Sequence, residues 1–185
     1  SARQIENLIN AELGPLKLEG ASFNVEIEKK EFNKWSKDGC DSIKFLVSLN
    51  KGSSKGEIHK ISSGGELSRL MLALNLVIAK SINKKTLIFD EVDTGISGRV
   101  AEAVASRLES LSKDQQVLVV THLPQVAAKG ANHYTASKKL YQDGICTIVN
   151  KLSQSDRVEE IAKMISGKII TDEARKLSNK LLKIN

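Results

Sequence analysis

Two short apolar runs constrain this chain most. Thr86-Leu87-Ile88-Phe89 ends in Asp90-Glu91, and Val117-Leu118-Val119-Val120 ends in Thr121-His122. Runs of this length read as strands buried on both faces, the kind found in parallel sheets. Between them Val100, Ala101, Val104, Ala105, Leu108 and Leu111 recur at helical spacing, over a stretch from about Ser97 to Leu111. Strand, helix, strand in this order predicts parallel neighbours joined by a crossover helix. Both strand ends then emerge on one rim, so Asp90, Glu91 and His122 are expected together where open α/β sheets bind ligands. One carboxylate can hold Mg²⁺ through its water shell while its neighbour orients or deprotonates a water, as phosphoryl transfer needs. Read alone, the acid pair fits a solvated strand end equally well, and a single His is more often structural.

A second feature precedes the first strand. Ile61-Ser62-Ser63-Gly64-Gly65-Glu66-Leu67-Ser68-Arg69 places two glycines at a helix start. Such a start exposes unpaired N–H groups and a positive dipole end, which suit a phosphate. Glycine also lets a ligand approach the backbone closely. The competing reading is a capping box, with Ser63 as cap and Glu66 three residues on. Leu67, Leu70, Met71, Leu72, Ala73, Leu74, Leu76, Val77, Ile78 and Ala79 make the following helix apolar nearly all round, so burial is expected.

The rest of the chain reads as one α/β domain's worth of elements. Ile5, Leu8, Ile9 and Leu13 mark a short helix that stops at Gly14-Pro15. Residues 22–28 and 42–49 alternate apolar and polar, as half-exposed strands do. Residues 29–41 link them, and residues 50–56 form a Gly/Ser/Lys loop. After His122, Leu123 to Ala128 is a short helix ended by Gly130. Residues 132–137 and 145–152 suggest a hairpin around Asp143-Gly144. Val158, Ile161, Ala162 and Ile165 share one helical face, and Thr171 opens a last helix with Ala174, Leu177 and Leu181 facing inward.

Composition excludes more than it selects. The formal charge of +6 permits contact with DNA without showing it. The lysine pairs are scattered and read as solvated faces. With one Trp and two Tyr, single-strand binding by base stacking has little compositional support. Cys40 and Cys146 are too few for a disulfide framework or a zinc site. No stretch spans a membrane and no secretory signal is visible, so the expected location is the cytoplasm.

The longer strings carry a resemblance. Ser63-Gly64-Gly65-Glu66 resembles the signature motif of ABC-type ATPases in its SMC-like form. Leu87-Ile88-Phe89-Asp90-Glu91 resembles the Walker B strand with its catalytic glutamate. Val92-Asp93-Thr94-Gly95 falls at the D-loop, and His122 at the switch histidine. Together with Asp93-Thr94-Gly95-Ile96-Ser97-Gly98 and Thr121-His122-Leu123-Pro124-Gln125-Val126-Ala127, these motifs resemble the bacterial RecN family of SMC-like DNA-repair ATPases, over about residues 40–165.

That resemblance implies an ABC/SMC-type head lobe: a mixed sheet with parallel core strands flanked by helices, plus antiparallel strands. It implies ATP and Mg²⁺, with Asp90 holding the metal through water, Glu91 polarising the attacking water and His122 contacting the γ-phosphate. Ser63, Gly64, Gly65 and Glu66 would serve ATP held mainly by an opposite head, and Asp93 would lie at the dimer interface. No Gly-x-x-x-x-Gly-Lys-Ser/Thr occurs; at Gly167-Lys168, Ala162 and Ile169 break the pattern. The chain is therefore expected to be the C-terminal lobe (15–185) of a head, inactive alone, with residues 1–14 ending a coiled-coil arm. Its expected partners are an N-terminal P-loop half, a second head and DNA. Two other readings stay open: the head of another SMC-like chromosome-maintenance ATPase, and a non-catalytic DNA-binding or assembly module.

Overall fold

The computed structural model describes residues 1–37, 39–58, 64–79, 83–141, 144–167 and 169–184. They group into two compact units, Ser1–Val120 and Thr121–Asn185.

In the first unit, α1 (Ala2–Leu13) buries Ile9 and Leu13 and passes into a 3₁₀ turn at Gly14–Leu16, where Pro15 suits the first turn of a helix. β1 (Ser22–Lys29) and β2 (Asp41–Ser48) pair antiparallel along their full length, with Phe23 opposite Val47 and Ile27 opposite Ile43. Phe23 and Val47 are buried, whereas Ile27 and Ile43 are exposed. α1 lies along β1 and bonds its backbone through side chains. Asn10 Nδ2 donates to Phe23 O, and Phe23 N–H donates to Asn10 Oδ1, both at 2.8 Å. Val25 N–H donates to Glu6 Oε1 at 2.7 Å. The stretch read as a loop ends in a two-residue strand, β3 (Gly56–Glu57), on the free side of β2.

α2 (Gly64–Ile78) follows, then β4 (Thr86–Phe89), α3 (Gly98–Leu111) and β5 (Gln116–Val119). β4 and β5 are parallel, with Phe89 opposite Val119, as the strand–helix–strand pattern predicts. α3 buries Ala101, Val104, Ala105, Leu108 and Leu111. Two expectations need correction. β4 is covered on one face only: Phe89 is 4% exposed, but Ile88 is 71% and its partner Leu118 is 47% exposed. Successive strand residues point to opposite faces, and no layer covers the second face among the described residues. Likewise α2 buries Leu70, Leu72 and Ala73 but leaves Met71 and Ile78 exposed.

The second unit holds α4 (Pro124–Lys129), an antiparallel pair β6 (Tyr134–Tyr141) and β7 (Gly144–Lys151), α5 (Gln154–Ser166) and α6 (Asp172–Leu182). β6 runs four residues past the expected Ser137, and the turn residue Asp143 lies outside the described residues. α5 starts with a capping box, Ser153 bonding Asp156 N–H and Asp156 bonding back. Leu177 does not face inward as expected. α6 buries Ala174 and Ser178, one turn apart, and Ser178 Oγ donates to Val158 O of α5 at 2.8 Å, which satisfies the hydroxyl. The parallel pair and the antiparallel strands are thus present as separate sheets. No helix among the described residues is long and apolar enough to cross a membrane.

Candidate functional site

β4 ends against the start of α2, and the junction is built from short contacts. Asp90 is exposed, and its Oδ1 accepts the N–H of Glu91 at 2.9 Å. Glu91 has a left-handed backbone, φ 58°, which a side chain rarely adopts. Thr94 N–H donates back to Glu91 O at 3.0 Å, closing a turn whose central residues, Val92 and Asp93, are buried. The exposed Glu91 carboxylate and the buried Asp93 side chain therefore leave one turn in different directions.

α2 is fastened to this turn by the residues one helical turn past its glycines. Ser68 Oγ donates to Asp90 O at 2.7 Å, and Arg69 Nη1 donates to Thr94 O at 2.9 Å. Arg69 is 5% exposed. Burial lowers its pKa, and Glu66 partly opposes that shift. Arg69 Nε has no hydrogen-bond partner among the described residues. From the other side Lys17 Nζ donates to Gly95 O at 2.7 Å.

The glycines are where the close approach requires them. A Cβ on Gly65 would sit 3.1 Å from Thr94 Cβ and 3.2 Å from Glu91 O. A Cβ on Gly64 would overlap the Glu91 carboxylate. That acid lies at the end of α2 where N–H groups are unpaired and the dipole favours negative charge. The junction thus combines an anion-favouring helix start with two exposed carboxylates, Asp90 and Glu91.

Of the expected site residues, Gly64, Gly65, Glu66, Asp90, Glu91 and Asp93 belong to the first unit, and the contacts above gather Gly64, Gly65, Glu66, Asp90 and Glu91 at the α2–β4 junction. Ser63 lies outside the described residues. His122 belongs to the second unit, exposed in the segment before α4, where Leu123 N–H donates to Thr121 Oγ1 at 3.1 Å. Sequence alone assigns Ser68, Arg69 and Thr94 no part in the site. The available signal was the spacing: Ser68 and Arg69 stand four residues after Gly64 and Gly65, on the same helix face.

No family model matches the chain. Curated relatives do. It is 44% identical over 181 residues to the DNA repair protein RecN of Rickettsia conorii, covering 98% of this chain and 33% of the relative. It is 37% identical over 195 residues to the DNA repair protein RecN of Bacillus subtilis, covering 98% of this chain and 34% of that one. The chain therefore spans about a third of the length of the curated relatives it matches. Among solved structures, the Smc head domain with a coiled coil and joint from Pyrococcus yayanosii matches with a TM-score of 0.59 at 19% identity, covering 89% of this chain and 29% of that one. A structure from work on ATP-driven dimerization and DNA-stimulated activation of SMC ATPases matches with a TM-score of 0.50 at 22% identity, covering 90% of this chain and 94% of that one. The fold is that of an SMC-type head, and over 98% of its length the chain is similar to about a third of the length of the DNA repair proteins named RecN.

Proposed function

We propose that the chain is the C-terminal lobe of an ATP-hydrolysing head in a DNA double-strand-break repair protein, residues 15–185, with residues 1–14 ending an arm helix. The supporting observation is the junction itself: a Gly-Gly helix start and a carboxylate pair, distant in sequence, are locked together by Ser68, Arg69 and Thr94. Relatives named DNA repair protein RecN give the biological setting. On this reading the protein works in the bacterial cytoplasm, at the nucleoid.

Asp90 and Glu91 fit a Mg²⁺–ATP substrate. Both are exposed, and one Asp90 oxygen is committed to the Glu91 N–H, which orients the carboxylate. Mg²⁺ commonly keeps several waters and takes one or two carboxylates plus phosphates. When bound, it neutralises phosphate charge. Asp90 would hold the metal through water, Glu91 would polarise the attacking water and accept its proton, and His122 would contact the γ-phosphate. Ser63, Gly64, Gly65 and Glu66 would serve ATP held mainly by a second copy of the head, with Asp93 at that interface. The P-loop comes from the N-terminal half of the same protein.

ATP turnover by the chain alone, and titrated with a separately expressed P-loop half, tests this reading. We expect none alone and activity on mixing, reduced at least about a hundredfold by Glu91→Gln. Turnover that survives Glu91→Gln would remove Glu91 as the base. Associated halves that stay silent even with DNA would favour a non-catalytic module.

A further inference from the structure

The segment that carries His122 runs directly into α4, which has six residues, too few to hold a helix by itself in water. Of those residues only Val126 and Ala127 are buried. The segment is therefore fixed at its two ends. At the front, Leu123 N–H donates to Thr121 Oγ1 at 3.1 Å, and Leu123 O accepts the N–H groups of Val126 and Ala127 at 3.1 and 3.0 Å. The exposed His122 is thus the middle residue of a closed turn, between a hydroxyl and a helix start.

At the rear stands Arg157 of α5. Its Nη2 donates to Gly130 O at 2.6 Å and to Ala128 O at 3.4 Å, and its Nη1 donates to Ala131 O at 3.5 Å. One planar guanidinium therefore spans the last turn of α4 and the residues that leave it. Carbonyls at a helix end have no partner inside the helix, and a cation is favoured there. Arg157 is itself held in place. A capping box at Ser153 starts α5, Arg157 N–H donates to Ser153 O at 2.9 Å, and Ile161, one turn on along the same face, is fully buried. The Arg157 Nε is buried with no hydrogen-bond partner among the described residues, so packing sets where the guanidinium lies.

We propose that Arg157 is a positioning residue for His122. By clamping the C-terminal carbonyls of α4 it holds the short helix, and through the helix the turn that presents His122 to a phosphate. What His122 does rests on the ATPase reading above; the clamp rests on the geometry of the second unit.

Amide exchange in the chain alone reads the clamp. Arg157→Gln should speed exchange of the Leu123, Val126 and Ala127 amides at least about threefold. Loosening confined to residues 128–132, with Leu123 unchanged, would mean that the clamp stops short of His122 and would overturn the proposal. Turnover of the chain mixed with the P-loop half reads the consequence. We expect Arg157→Gln to lower kcat about tenfold with the KM for ATP unchanged, since the P-loop half seats ATP and only alignment is lost. Arg157→Lys keeps the charge without the planar fork and should recover part of the rate. In a His122→Ala background Arg157→Gln should change kcat by less than about twofold, because a residue that acts through another adds nothing once that one is gone. A full further loss in that background would show an independent role and overturn the proposal, as would undiminished turnover by Arg157→Gln. A mixture silent with the unaltered chain counts against the ATPase reading alone, and exchange at Leu123 then decides the clamp. Should Arg157→Gln fail to fold by circular dichroism, Arg157→Lys carries both comparisons.

Discussion

Gly64 and Gly65 are neighbours under different constraints. The group that a methyl on Gly64 would meet is the end of a flexible side chain, Glu91. The groups around Gly65 are Thr94 Cβ, the Glu91 carbonyl and Arg69, none of which can retreat freely. Gly64→Ala should therefore leave the thermal midpoint within about a degree or two, because Ala also favours helix. Gly65→Ala should cost about 1–3 kcal/mol, read as a lower urea midpoint. His133 carries a second residue-scale prediction. Its Nδ1 is buried without a hydrogen-bond partner among the described residues, and burial first, then Arg157, lowers its pKa, with Glu160 opposing. The folded state refuses a proton that the unfolded state takes up below about 6.5. Stability is thus full above that pH and falls as the pH drops toward the folded value. Unfolding of the chain at pH 7.5 and 5.5 should show this loss, and His133→Gln should flatten it. That the glycines and acids meet at one junction was legible, because their residue types and chain order stand out in the sequence. The left-handed backbone at Glu91 and the burial of Arg69 were not, because both follow from a close approach that only the folded chain makes.

At the scale of elements, caps and alternation were informative where they were long. The alternating runs read at residues 22–28 and 42–49 became β1 and β2, paired along eight residues each, whereas β3 has two residues and no pattern to read. α6 shows the limit. Leu177 looked inward because it is apolar, but the face set by Ala174 passes through Ser178, and a serine that bonds a carbonyl is as good an inward residue as a leucine. Helix starts are more dependable, since four N–H groups always need partners. Ser153 meets one of them at α5, and its main chain is met in turn by Asp156. Ser153→Ala should cost about 1 kcal/mol, measured by thermal unfolding, with helix content at low temperature unchanged.

For the whole molecule, the chain-order pattern gave the parallel pair and its crossover helix, and the motif strings pointed to the likeness with the RecN relatives. The uncovered face of Ile88 and Leu118 was not legible, because a strand's sequence does not say which neighbours are present. Edges matter at this scale too. Asn10 stands in for a missing strand beside β1, so Asn10→Ala should leave Phe23 N–H and C=O without those partners, costing about 1–3 kcal/mol and raising light scattering on warming. The contact of Glu91 with Gly64 has a different kind of consequence. An acid tethered beside its seat is present at a high effective concentration, set by its short tether and independent of how dilute the protein is. Any anion arriving at the start of α2 meets that charge first, so free phosphate at low concentration is disfavoured at that helix end by the chain's own carboxylate.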